Sequence, residues 1–516
     1  MELFKVCIPP QSADVGNLYL RMRSGTADMR NGMCVLSPNS EISTDTYFNV
    51  FSSSKYAEYT RAKEITITTS VSGNLFVELR SFSDTGERTI ETRNINSEEP
   101  VEVRFLFRID PLRGEKTTLH YLVYHSHEES VIHSFGSYTS DLKPDTIDLG
   151  IVICTFKREE RVTRTLSKID KTMSDDRYGL EDRTTVYVVD NGRTLDEASI
   201  NYNHVKLIPN ENDGGAGGFT RGIIESRKNR KTHTLLMDDD IELDPNVIYK
   251  TFNLISILND EHKEAFILGG MLLPETPNIQ YEAGAEYLQR FRHGKHMLNF
   301  SSVDALLQND DWEPADYGGW WYMCMPENAT GELPLPLFIK LDDVDFGLRR
   351  MRDHIVMNGI GIWHDSFESK TNPVTDYYFL RRNTLILHAL YGKNNGIRAG
   401  IGHLRRMLHC IKEGKNNEYC YTRKAVNDFL KGPEFIENAK QAEVFEMIND
   451  PDETVPSADK KKKRSTQEIF RNASPAELLS LSLESTRLVI RWNRLAKRYR
   501  KSVEFLSSME FWDRGD

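Results

Sequence analysis

Three consecutive aspartates, Asp238, Asp239 and Asp240, follow the apolar run His233 to Met237. Two carboxylates at i and i+2 after a buried strand can share one hard divalent cation, and that cation can neutralise a diphosphate leaving group. Aspartate is also common in plain turns after strands, so the triplet alone leaves both readings open. A second acidic cluster lies in Leu337 to Arg349 (LFIKLDDVDFGLR), which reads as an apolar strand breaking into Asp342 and Asp343 at the mouth of a helix. One carboxylate there is an ordinary cap. A pair can divide the labour, one oriented by the helix and one acting as general base, because an attacking hydroxyl must lose its proton in the transition state. Gly359 to Asp365 (GIGIWHD) ends a strand in Trp363 and His364. A histidine after an apolar run is commonly structural, yet an imidazole would complete a three-ligand set with the triplet.

Other weak signals stand in a consistent order. Thr155, Phe156, Lys157 and Arg158 follow the run Ile147 to Phe156, where a nucleotide base and ribose would sit in an open parallel sheet. Asp190 ends the next strand, Thr184 to Asp190, and could accept from a base or hold the Asp-Asn-Gly turn that follows it. Gly214 to Gly218, with Gly215 among them, open a helix where backbone could approach a diphosphate. The stretch lacks the GK[ST] ending of a Walker A loop and a strict GxGxxG, which disfavours nucleotide binding of those two kinds. Tyr317 to Tyr322 (YGGWWY) sets Trp320 and Trp321 side by side after two glycines. Tryptophan most often packs in a core, but an adjacent pair in so glycine-rich a segment can form a wall on which a sugar face stacks.

These residues need an alternating strand and helix scaffold with its chemistry at strand C-terminal ends, and residues 148–375 have that pattern. Residues 1–147 instead carry short alternating runs such as Glu64 to Ser70, Asn74 to Arg80, Val101 to Phe107 and Leu119 to His125, spaced as in a β-sandwich. Residues 376–516 are helical in pattern, interrupted by a charged, Pro-containing linker at Asp450 to Ser465. The 516 residues carry a formal charge of −11, which argues against a nucleic-acid coat. Six scattered cysteines without a CxxC pair predict a reduced, cytoplasmic setting. No leader and no spanning segment is expected, which confines membrane contact to the periphery.

Together the stretches ICTFKR (153 to 158), VVDNG (188 to 192), NDGGAGGFTRG (212 to 222), LLMDDDIELDP (235 to 245), GGWWYMC (318 to 324), PLFIKLDDVDFGLR (336 to 349) and GIWHDSF (361 to 367) resemble glycosyltransferase family 2 with a GT-A fold. In detail they resemble the bacterial galactofuranosyltransferases of the mycobacterial arabinogalactan type. The resemblance implies a nucleotide site of Thr155, Arg158, Asp190, Gly215 and Asp239, and a manganese or magnesium site of Asp238, Asp240 and His364. It implies Asp343 as catalytic base beside Asp342, and an acceptor site including Trp320, Trp321 and an acidic residue at Glu282 or Glu286. The implied reaction is inverting, metal-dependent transfer of galactofuranose from a UDP-sugar donor to a lipid-linked or polysaccharide acceptor at the inner face of the plasma membrane. Leu341 stands where that family typically has tryptophan. A rhamnosyl or pyranosyl transferase of the same fold is the runner-up, and a non-catalytic carbohydrate-binding protein the rival from another class.

The charge is uneven, since Lys460 to Lys501 hold 13 basic and 3 acidic residues. Arg487, Arg491, Arg494, Lys497, Arg498, Arg500 and Lys501 interleave with Leu488, Val489, Ile490, Trp492, Leu495 and Tyr499. A basic amphipathic helix of this kind can lie on an anionic leaflet, or serve as a solvated face or a homo-oligomer contact.

Overall fold

The computed structural model describes residues 1–8, 16–30, 32–109, 117–175, 179–200, 202–287, 291–366, 372–392, 395–449 and 474–513. The linker expected at Asp450 to Ser465 lies outside the described residues.

The N-terminal part is an antiparallel β-fold in which ten strands join in one hydrogen-bonded sheet. Its axis is the long pair Glu64–Ser83 and Gly86–Arg108. The first of these pairs with Ser130–Thr139 over residues 66–72, then with Thr118–Ser126 over residues 75–83. The partner changes at Gly73, whose φ of +107° suits glycine and whose missing Cβ would lie 2.8 Å from the Ser130 Cα. A single long strand thus carries the hydrogen bonding from one half of the β-fold to the other, with the change of partner at Gly73. The halves meet at Tyr124 and Phe135, ring centroids 5.5 Å apart.

This β-fold shares its core with the central sheet. Tyr19 donates to Asp244 at 2.9 Å, and Asn253 to the Leu3 carbonyl at 3.2 Å. Phe48 packs 5.6 Å from Trp363, so the β-fold backs the segment that ends in His364.

The central sheet has seven strands in the order Val205–Pro209, Thr184–Asp190, Leu149–Thr155, His233–Asp238, Tyr322–Pro326, Phe266–Leu268 and His354–Ile355. The first four are parallel, and Tyr322–Pro326 enters antiparallel. Leu149–Thr155 is apolar along nearly its whole length because helices cover both faces of such a sheet. Glu159–Met173 and Gly214–Lys228 are two of those helices. Gly218 and Gly222 bring the second helix close, since a Cβ would fall 2.1 Å from the Cys154 Sγ and 2.1 Å from the Val152 Cγ1 respectively.

Leu337 to Leu341, read as a strand, is instead an irregular loop in which Phe338, Lys340 and Leu341 take φ of +71°, +69° and +68°. It delivers the chain into the helix Asp342–Arg350. Helices Leu380–Tyr391, Gly396–Glu413, Asn416–Lys431, Pro433–Asn438, Gln441–Asn449 and Pro475–Leu506 follow. The last buries Leu488, Trp492, Leu495 and Tyr499 against its neighbours. Those side chains are thus unavailable to a bilayer, and the outward face is left to Leu479, Leu483, Ile490 and the arginines. Among the described residues no helix is long and apolar enough to cross a membrane.

Candidate active site

The C-terminal ends of Leu149–Thr155 and His233–Asp238 lie side by side, with Cys154 opposite Asp238 in the ladder. That register places Thr155 and Arg158 over the aspartate triplet. A bridge between Glu242 and Trp363, with both backbone bonds at 2.8 Å, folds the next segment back over the triplet. His364 then lies with Nε2 3.6 Å from the Asp238 Oδ2 and 3.3 Å from the Asp240 Oδ1. One ligand atom from each of Asp238, Asp240 and His364 falls within 4.8 Å of the others. Two carboxylates and an imidazole are a donor set that suits manganese or magnesium and could hold either.

Asp239 differs from its neighbours. It is buried, with Oδ2 accepting from Thr155 Oγ1 at 2.7 Å and Oδ1 from Arg158 Nη1 at 3.0 Å. Burial raises its pKa while Arg158 opposes the shift. Its carboxylate is therefore engaged with Thr155 and Arg158, two other residues expected on the nucleotide side. Arg158 also reaches Asp240 at 2.9 Å. Sequence reading missed Arg161, one helical turn on, which bridges Asp240 at 3.2 Å and Asp365 at 3.3 Å. Its i+3 spacing from Arg158 was the available signal.

Asp190 is 1% exposed, and its oxygens accept from the backbone N–H groups of Gly192, Thr194 and Leu195 at 2.9, 2.7 and 2.8 Å. It holds the turn after its strand, where contact with a base had been expected. That turn borders a cleft lined by Asn191, Gly192, Arg193, Asn212, Asp213 and Lys440. The glycines are also mostly packing devices, because a Cβ on Gly214 would strike the Phe338 carbonyl oxygen at 2.1 Å. Gly215 is the member that faces the acid pair, its Cβ position 3.4 Å from the Asp342 Oδ2.

Asp342 is buried and Asp343 partly so. The Asp343 Oδ1 accepts from the Val344 N–H at 2.8 Å. Burial, then the charge of Asp342, raises the Asp343 pKa, with Glu282 and Asp238 adding to the effect. Asp342 is likewise raised, chiefly by burial.

Trp320 and Trp321 are 5% and 6% exposed, so neither ring offers an open face as a sugar wall. Trp321 donates to the Gly269 carbonyl at 3.0 Å, and Trp320 packs edge-on against Phe219 and against Phe346 of the acid-pair helix. The flanking glycines explain this burial: a Cβ on Gly318 would meet Leu268 Cδ2 at 2.5 Å. Of the two acidic candidates, Glu282 is buried and accepts from the His293 ring, whereas Glu286 pairs with Arg292. The bond to Glu282 raises the His293 pKa. His293 was not anticipated, because only the hairpin that sets it opposite Ala285 brings its ring to Glu282.

Residues 150–263 match the family model for glycosyl transferase family 2. The central part of the chain is thereby a glycosyltransferase domain of the Rossmann-like GT-A class, and the chain is a glycosyltransferase. It is 27% identical to galactofuranosyltransferase GlfT2 of Mycobacterium tuberculosis over 83% of this chain and 72% of the relative. It is 26% identical to galactofuranosyltransferase GlfT2 of Mycolicibacterium smegmatis over 83% of this chain and 70% of the relative. Among solved structures, mannosyl-3-phosphoglycerate synthase from Rubrobacter xylanophilus overlaps 43% of this chain and 69% of its own at 10% identity, with a TM-score of 0.26, too low to bear on the fold.

Proposed function

We propose that this glycosyltransferase moves galactofuranose from UDP-galactofuranose to a hydroxyl of a growing, lipid-linked or polysaccharide glycan, with inversion and with a divalent cation. The observation that carries the reading is the cluster of Asp238, Asp240 and His364, one ligand atom of each within 4.8 Å of the others, at the strand ends of the domain that matches glycosyl transferase family 2. The relatives' names supply the sugar. Manganese or magnesium held by Asp238, Asp240 and His364 would neutralise the diphosphate of the donor. Arg158, anchored by Asp239, adds charge to that leaving group, and Thr155 and the Asp190 turn shape the nucleotide side. Asp343 takes the proton from the acceptor hydroxyl as its oxygen bonds to the anomeric carbon and the bond to the UDP oxygen breaks. Residues 1–147, 148–375 and 376–516 serve as β-scaffold, catalytic domain and helical domain. An anionic leaflet at the cytoplasmic side would be met by the arginines of Pro475–Leu506 and by Leu479, Leu483 and Ile490.

Incubation with UDP-galactofuranose, UDP-galactopyranose and a rhamnose nucleotide, with UDP or dTDP release followed with and without acceptor, tests the donor. Release from UDP-galactofuranose at least about tenfold faster than from the others is expected, a margin of about 1.4 kcal/mol in transition-state binding. Faster rhamnosyl transfer would install the runner-up.

The raised pKa of Asp343 fixes a pH dependence. The base works only when ionised, and burial with neighbouring carboxylates favours its neutral form. Activity is therefore expected to fall with decreasing pH well before the ordinary carboxylate range is reached. Glu282→Gln removes one of the negative charges, so it should move the acid limb of log(kcat/KM) to lower pH. A limb that stays in place in that variant would separate Glu282 from Asp343.

A further inference from the structure

The acid pair is delivered by a loop that the backbone does not favour. Phe338, Lys340 and Leu341 all lie in the left-handed region, which side-chain-bearing residues seldom enter, and Asp342 follows directly. Such turns aim successive carbonyls inward, and here the carbonyl oxygens of Leu337, Ile339 and Lys340 converge on one atom. That atom is the Asn383 Nδ2, at 3.1, 3.0 and 2.8 Å. Three carbonyls around the amide leave no doubt which end of the side chain is nitrogen. The Asn383 Oδ1 is held in turn by Arg382 Nε at 3.0 Å. Arg382 also donates to the Leu337 carbonyl at 2.9 Å and to Gln441 at 2.5 Å. Arg382 and Asn383 are both fully buried, and both come from the helical domain.

The far side of the loop is fixed as well. Ala216 donates its N–H to the Phe338 carbonyl at 3.1 Å, and the Phe338 ring stacks on Phe379 at 5.0 Å. The strained segment is thus gripped between the glycine-rich helix start and the helix Leu380–Tyr391. Asn383 and Arg382 both reach the loop through its main chain. Their bonds end on the backbone that sets where Asp342 and Asp343 stand.

We infer that Asn383, braced by Arg382, is a positioning residue for the acid pair, clamping the Phe338–Leu341 loop so that Asp343 meets the acceptor hydroxyl. The inference rests on the reading of Asp343 as base. It makes the helical domain part of the catalytic apparatus, since without the amide the Ile339 and Lys340 carbonyls lose the donor they converge on, and the Leu337 carbonyl keeps only Arg382 and the Ile339 N–H. The loop would then relax toward ordinary φ values and carry Asp343 out of line, while the donor side, built on other strands, stays as it is.

The test uses the full chain, with Asn383→Ala compared with wild type and with Asp343→Asn. Asn383→Ala is expected to lower kcat for transfer by about 10-fold to 100-fold, the range in which small misplacements of reacting groups act. UDP affinity in the presence of manganese should stay within about twofold. That split distinguishes positioning from general loss of structure, which would lower both. Should Asn383→Ala fail to bind UDP, Asn383→Ser, which keeps one donor, is measured in the same way and should show the same split to a lesser degree. Wild-type kcat in either variant that binds UDP, or parallel loss of kcat and UDP affinity in both, would overturn the clamp. Wild-type transfer by Asp343→Asn would instead remove the base assignment itself.

Discussion

Asp343→Asn is expected to abolish glycosyl transfer while UDP binding persists. The amide is the same shape as the carboxylate, and its oxygen can still accept the Val344 N–H that the Asp343 Oδ1 accepts at 2.8 Å. The helix start therefore survives the change. The power to take a proton does not, and loss of a general base costs about 10²-fold to 10⁴-fold in kcat. That range corresponds to about 3 to 5 kcal/mol of transition-state stabilisation. Asp238, Asp240, His364 and Arg158 are untouched, so affinity for UDP with metal should remain within about twofold. Asp342→Asn makes the contrast. It removes the neighbouring charge that, after burial, contributes most to raising the Asp343 pKa. The variant should retain more transfer than Asp343→Asn and shift the acid limb to lower pH. Asp343→Asn with wild-type turnover, confirmed by product analysis, would sink the assignment.

The parts of this site that could be read in sequence are those in which local spacing dictates geometry. Asp238 and Asp240 sit at i and i+2 after an apolar strand, and Asp342 and Asp343 begin a helix, so their placement follows from one element each. His364 needed a further step, because its position over the triplet depends on the long-range bridge between Glu242 and Trp363. Trp320 and Trp321 show where composition misleads. A glycine-rich stretch suggests exposure, but Gly318 and Gly319 instead let the chain pack tightly enough to bury both rings. LFIKL likewise has the composition of a strand, and nothing in those five residues announces three left-handed backbone positions. The conformation is imposed from outside by Asn383, Arg382 and Ala216, which lie in other elements. Asp190 and Asp239 illustrate the same limit: their types suit ligand binding, and only the hydrogen-bond pattern reveals that their oxygens are engaged within the protein.

Removal of divalent cations should stop turnover, with activity restored by manganese or magnesium, and Asp238→Ala should make UDP affinity independent of metal. The three candidate ligands are unequal. The Asp240 side chain is 2% exposed and pairs with Arg158, Arg161 and His364, whereas that of Asp238 is 34% exposed. Asp238 is thus the ligand with the most accessible carboxylate. Arg158 shares one nitrogen between Asp239 at 3.0 Å and Asp240 at 2.9 Å. With Asp240 holding a cation, Asp239 would keep the guanidinium in place for the donor diphosphate. A divalent charge beside the leaving group is worth several kcal/mol in the transition state, so kcat/KM should fall by at least about 10³-fold on chelation or in Asp238→Ala. In wild type, UDP affinity should rise at least about tenfold when manganese is added, and in Asp238→Ala the two values should coincide. Asp239→Ala is the control within the triplet. It removes the anchor of Arg158 and leaves Asp238, Asp240 and His364, so it should weaken UDP binding yet preserve the metal dependence. Equal UDP affinity with and without manganese in the wild-type protein would refute the metal site, whatever the variants do.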